Sequence, residues 1–145
     1  MYKKTITYTD YNGNERTEDF YFNISEAEAI ELSVQYDGGL QEYMEKIVNA
    51  DDQNEIIQQF KKIIKFSYGV KSEDGRRFVK ANDVVDAFVQ SPAYSILFME
   101  LATNTDEAIA FINGITPNVE GKEAVIEKLK QESAEVTKNV DHSNS

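Results

Sequence analysis

The chemistry open to this chain is narrow. His142 is its one histidine, and it stands in the polar stretch His142-Ser143-Asn144-Ser145. A Ser–His–Asp arrangement needs an imidazole held in place by a fold, and a polar terminus does not supply one. The chain has no Cys, which removes thiolate nucleophiles, disulfides and Cys-ligated metals. A zinc site needs several nitrogen or sulfur ligands that are not there. Neither a P-loop nor a dinucleotide fingerprint occurs. Cofactors and metals are therefore not expected, and neither is an enzyme. Carboxylates are plentiful, and a hydrolase using paired Asp and Glu rests on that abundance alone. The densest pair, Asp51–Asp52, stands just ahead of a predicted helix, where it serves as cap and dipole partner. Asp10-Tyr11-Asn12-Gly13-Asn14 looks like the start of a calcium loop. An EF-hand needs Gly at the sixth position and Glu at the twelfth; here those are Glu15 and Tyr21. Arg76–Arg77, beside Glu73 and Asp74, is an island of positive charge. It can dock a partner's carboxylates or lie in a solvated loop with local ion pairs.

The elements that would position these residues follow from periodicity. Residues 2–22 read as a β-hairpin, with Ile6 and Tyr8 alternating with threonines and Phe20 and Phe22 alternating with Asp19 and Tyr21. Asn12–Gly13 marks the turn. A two-residue turn there would set Ile6 against Asp19. An odd loop sets Ile6 against Phe20 or Glu18, so the pattern predicts a three- or five-residue loop with Gly13 at positive φ. Ser25 and Glu28 form a capping box, with Ile24 as its staple. The helix they open runs to about Tyr36, with Ala27, Ile30 and Val34 inward. Leu40, Tyr43, Met44, Ile47 and Val48 predict a second helix. Asp52 and Glu55 open a third over about 53–67, carrying Ile56, Ile57, Phe60, Ile63 and Ile64 and ended by Gly69. Lys71–Lys80 reads as a polar loop around Asp74–Gly75. Asn82 is a candidate cap for a short helix through Phe88.

Ser91 and Pro92 then open a stretch, Ala93 to Ala102, that is apolar on every face and so must be surrounded by other elements. Asn104 and Thr105 restart the chain into a last core helix, with Gly114 as C-cap and Pro117 blocking continuation. From Asn118 only a thin apolar stripe remains (Val125, Ile126, Leu129, Val136). The expected fold is mainly α: an N-terminal β-hairpin packed against a bundle of five to six helices over residues 1–117, then a mobile helix and disordered tail over 118–145. The expected core holds Phe20, Phe22, Ile30, Ile47, Phe60, Ile64, Phe88, Leu97, Phe98, Leu101, Phe111 and Ile112.

At 145 residues, with 41% hydrophobic and 11% aromatic, the chain is sized for one domain with one moderate core. Its net charge is −11, from 26 acidic and 15 basic residues. That disfavours nucleic acid and anionic membrane surfaces as partners. The N-terminus MYKKTITYTD lacks the apolar core of a signal peptide, and Ala93–Met99 is too short to span a bilayer.

Three stretches carry a resemblance. YSILFMELATNTDEAIAFINGI (94–115) resembles the C-terminal half of a family of tail assembly chaperones from long-tailed, siphovirus-like bacteriophages of Gram-positive hosts. YKKTITYTDYNGNERTEDFYFNISEAEAIEL (2–32) resembles that family's beginning, and SEDGRRF (72–78) its middle. The resemblance spans roughly 2–117. It implies a protein that coats the phage tape measure protein and keeps it soluble while tube subunits polymerise around it. It also implies a longer, frameshifted form that recruits the tail tube protein, self-association, and residence in the host bacterial cytoplasm rather than in the mature virion. The contacts expected with a client are the hairpin edge Lys3–Thr9 with Ile6 and Tyr8, exposed apolar positions on the helices of 40–67, the tyrosines Tyr43 and Tyr68, for both of which core packing is the competing reading, and Arg76 and Arg77. The alternative is an acidic nucleic-acid mimic that blocks a DNA-binding enzyme. Such a mimic clusters its carboxylates on one face, whereas here they are spread along the chain.

Overall fold

The computed structural model describes residues 1–35 and 53–117. The predicted helix over 40–48, Tyr43, Ile47, Asp51–Asp52, the 118–145 segment and His142 lie outside the described residues. Within them the chain runs β1 (Tyr2–Thr9), β2 (Glu15–Phe22), α1 (Glu26–Gln35), α2 (Gln53–Ser67), β3 (Tyr68–Lys71), β4 (Phe78–Val79), α3 (Asn82–Val89), α4 (Pro92–Thr103) and α5 (Thr105–Ile115).

The four strands form one antiparallel sheet in the order β1-β2-β3-β4. The expected helical bundle with a single hairpin is therefore corrected to an α+β fold. A second hairpin, β3–β4, extends the first, and five described helices accompany the sheet.

The first hairpin follows the parity argument. Ile6 pairs with Glu18 and Tyr2 with Phe22 across a loop of residues 10–14. Gly13 takes φ +88° there, a conformation that favours glycine. Asp10 organises the turn. Its Oδ1 accepts from the backbone N–H of Asn12 and Asn14, both at 2.9 Å, and its Oδ2 from Arg16 Nε at 2.7 Å. Alternation then divides the sheet into two faces. Ile6 and Phe22 are buried, while Lys3, Thr5, Thr7, Thr9, Thr17 and Asp19 are exposed.

An aromatic cluster joins sheet to helices. Phe22 is fully buried, with ring centroids 5.6 Å from Tyr68, 5.8 Å from Phe88 and 5.4 Å from Phe111. Tyr68 stacks on Phe88 at 4.3 Å and 14°. Pairs of this kind add about 0.5–1.5 kcal/mol beyond the area they bury. Backbone bonds tie the end of β2 to two helix C-termini, Asn23 N–H donating to Ser67 O (2.7 Å) and Ile24 N–H to Ile115 O (2.8 Å). These are carbonyls that a helix end leaves unpaired.

The Ser25–Glu28 capping box forms as expected, with Glu28 N–H donating to Ser25 Oγ at 3.1 Å and Ser25 N–H to Glu28 Oε1 at 2.9 Å. The helix face does not. Ala29 and Leu32 are buried, whereas Ala27 is exposed and Ile30 is 66% exposed. Gly69 caps no helix, because α2 passes at Ser67 directly into β3. A Cβ on Gly69 would lie 2.6 Å from the Phe78 ring. Asn82 is the first residue of α3 and not its cap, which is Ala81. Ser91 does occupy the N-cap position of α4, but its hydroxyl donates backward to Phe88 O at 2.7 Å. Asn104 caps α5 through Glu107 N–H at 3.1 Å. Gly114 lies inside α5 against the Tyr2 ring, and Thr116 is the C-cap.

Candidate functional site

Of the residues expected to meet a partner, Ile6 and Tyr68 are core. They are 3% and 7% exposed and fasten the sheet to the helices. Tyr8 is half buried; its ring lies 6.4 Å from Phe20 and its hydroxyl donates to Glu18. Tyr43 lies outside the described residues. Arg76 and Arg77 are exposed on the turn between β3 and β4. That turn is closed by Gly75 at φ +76° and by Ser72, whose N–H donates to Arg77 O at 2.9 Å. Arg76 N–H donates to Asp74 Oδ1 and Arg77 N–H to Ser72 Oγ, both at 3.0 Å. The backbone is thus fixed while both guanidinium groups stay outside every ion pair among the described residues.

The sequence points to exposed apolar positions on the helices of 40–67; it does not point to α4, which supplies the other wall of a groove. Helix α4 touches α2, α3, α5 and β1, and its Ala93, Leu97 and Leu101 are buried. Among the described residues nothing covers its opposite side, where Ile96 is 42% and Met99 57% exposed. The expectation that the whole apolar helix is surrounded is therefore corrected. Ile57, Lys61, Tyr94, Ser95, Phe98 and Met99 line a groove of about 260 Å³. Ile57 is 39% exposed, so both walls present apolar surface. Lys61 stands at the rim, and Lys62 and Lys65 continue a basic row along the exposed side of α2. The apolar run Ala93–Ala102 points by itself to burial on every face, whereas the described neighbours of α4 bury only Ala93, Leu97 and Leu101.

Two charged clusters outside this groove, around Lys80 and around Lys4, tie elements of the fold together. Lys80 Nζ donates to Asn23 O (2.6 Å), Glu28 Oε1 (2.8 Å) and Phe66 O (3.0 Å), so all three of its donors are used. Burial pushes its pKa down against the pull of Glu28. Lys4 Nζ meets Glu100 at 2.9 Å and Glu107 at 3.3 Å. Burial works to lower the Lys4 pKa, but the bonds to Glu100 and Glu107 outweigh it and the net shift is upward. Tyr2 donates to Glu107 at 3.3 Å, and burial, with Glu107 beside it, raises the Tyr2 phenol. These contacts hold β1 to α4 and α5. The described residues contain no cluster of three potential metal ligands and no helix long and apolar enough to cross a membrane.

The lining of the groove, mainly apolar, suits it to receive apolar side chains from a partner. No curated protein and no solved structure matches the chain. A family model described as phage tail assembly chaperone matches residues 1–144. The match takes in the hairpins, the five helices and the groove between α2 and α4, and it establishes that the chain belongs to the phage tail assembly chaperone family.

Proposed function

We propose that this chaperone binds the tape measure protein of its phage, in several copies per client chain, and keeps it soluble while the tail tube assembles. The observation that carries the reading is the side of α4 that no described residue covers. Ile96 and Met99 stand exposed beside a groove walled by Ile57, Tyr94 and Phe98. An amphipathic helix docks in such a groove through apolar anchors at i, i+3, i+4 and i+7. The net charge of −11 keeps a coated client in solution. Recruitment of tube subunits by a longer form belongs to the same proposal and rests on the resemblance.

Co-expression tests it. The tape measure protein becomes soluble with the wild-type chain. With Met99→Glu it stays insoluble, because a carboxylate is placed in the apolar wall. A client equally insoluble with and without the wild-type chain overturns the reading. So does full activity of a folded Met99→Glu variant.

A further inference from the structure

We propose that two copies of this chain pair through their β1 edges, antiparallel about a two-fold axis at Ile6, to make one continuous eight-stranded sheet. The backbone supplies the first part of the argument. Asp10 N–H donates to Asn14 O, and every β1–β2 pair in this register sums as Asp10 and Asn14 do. In an antiparallel ladder the hydrogen-bonded pairs alternate, so Tyr2, Lys4, Ile6 and Tyr8 bond to β2. The N–H and C=O groups of Lys3, Thr5, Thr7 and Thr9 point outward. No described residue bonds to them. An eight-residue edge strand with no proline and no bulge is the kind that natural proteins ordinarily protect. At the other edge, β4 has two residues.

The second part is what the occupant must look like. Only one register uses all four outward residues of each copy. It sets Lys3 opposite Thr9 of the second copy and Thr5 opposite its Thr7, and it brings Ile6 to Ile6 at the axis. β1 carries Lys3 and Lys4 and no carboxylate, so two copies of an acidic chain meet along their least acidic strand. On the exposed face, Thr9 pairs with Glu15 within each copy. The register therefore aligns Lys3 with Glu15 of the second copy, two strands or about 9–10 Å away across the sheet. That separation is within the reach of the two extended side chains. Neither Lys3 nor Glu15 has an ion-pair partner among the described residues of its own copy. The hydroxyl pairs also continue across the axis. Thr7–Thr17 of one copy (2.9 Å) runs into Thr5–Asp19 of the other (2.6 Å). A second copy thus satisfies the open backbone and the charge at once. The pairing is independent of the groove between α2 and α4.

Sedimentation velocity on the full chain tests it. The wild type forms a dimer at high micromolar concentration. Thr7→Pro removes an outward N–H without touching the β1–β2 ladder and weakens the dimer by at least about tenfold. Lys3→Glu weakens it as well, and the exchange Lys3→Glu/Glu15→Lys restores it. Met99→Glu leaves it unchanged. A wild type that stays monomeric overturns the proposal. A dimer indifferent to Lys3→Glu, or one that the charge exchange does not restore, also overturns it, and this arm holds even where Thr7→Pro fails to fold.

Discussion

Leu97 and Phe98 are adjacent in sequence and differ in what they hold together. Leu97 is fully buried between the helices and the sheet, whereas the Phe98 ring lies partly exposed on the groove, 6.1 Å from Tyr94. Leu97→Ala should therefore cost about 2–5 kcal/mol, as cavity-forming changes do, and Phe98→Ala distinctly less; urea denaturation midpoints of the two variants give the comparison. The order of size alone would be the reverse. Tyr94 adds a second test at this scale. Its hydroxyl is buried without a hydrogen-bond partner among the described residues, and burial raises its pKa. An unpaired buried polar group carries a desolvation cost of about 1–3 kcal/mol. Tyr94→Phe should thus leave the melting temperature unchanged or higher, and a clear fall would show that the hydroxyl is satisfied. Asp10 gives the pH dependence. The side-chain bond from Arg16, then the backbone N–H groups of Asn14 and Asn12, hold its carboxyl below the ordinary value. A depressed carboxylate stabilises the fold fully above its unfolded pKa of about 3.9 and loses that stabilisation as pH falls through the folded value. Asp10→Asn should lower stability at neutral pH, and the gap to wild type should close as thermal melts are taken into the acid range below about pH 4.

At the scale of elements, the sequence was most legible where two signals agreed. The parity of Ile6, Phe20 and Phe22 together with Gly13 narrows the hairpin to two registers, of which the structure has the one that pairs Ile6 with Glu18, and Ser25 with Glu28 gives the helix start. It was least legible where one signal stood alone. On α1, Ala27 and Ile30 compete with Ala29 and Leu32 for the inward face. Only the tertiary contacts choose between them, and Ala29 and Leu32 are the buried pair. β3 follows α2 without an intervening residue and β4 has two residues, so neither offers enough alternation to be read as a strand. Gly69 was taken as punctuation, but it is needed because the Phe78 ring lies over it. Gly69→Ala places a Cβ 2.6 Å from that ring and should cost about 1–3 kcal/mol, the range for overpacking. Pairing it with Phe78→Val should recover most of the loss in chemical denaturation. Failure to recover would mean that the backbone, and not the ring, sets the limit. The candidate site was legible in the same uneven way. Arg76 and Arg77 stand on an exposed turn, as Asp74–Gly75 implies; for Tyr68 core packing is the competing reading and is the one the structure has, while Ile6 could not be told from an edge contact, because burial in a sheet depends on which helices cover it.

For the whole molecule, the distribution of charge separates two modes of binding. In this acidic chain the described basic residues include the row Lys61, Lys62 and Lys65 beside the groove, the Arg76–Arg77 turn, and Lys3 on β1. A complex carried by Ile96, Met99 and the groove depends on apolar area and should persist as salt rises. A complex carried by the net charge, as a nucleic-acid mimic requires, should dissociate once the Debye length falls to about 3 Å near 1 M salt. The chaperone reading predicts that a complex of the chain with its tape measure protein survives a high-salt column. It predicts further that Arg76→Ala/Arg77→Ala changes the association rate at low salt with little effect on the complex once formed, since exposed charges act mainly on the on-rate. Met99→Glu should act in the opposite way and speed dissociation at every salt concentration. Surface-bound kinetics on the three proteins read both rates directly. A complex that falls apart in high salt, with the arginine pair controlling its lifetime, would move the binding surface from the groove to the β3–β4 turn.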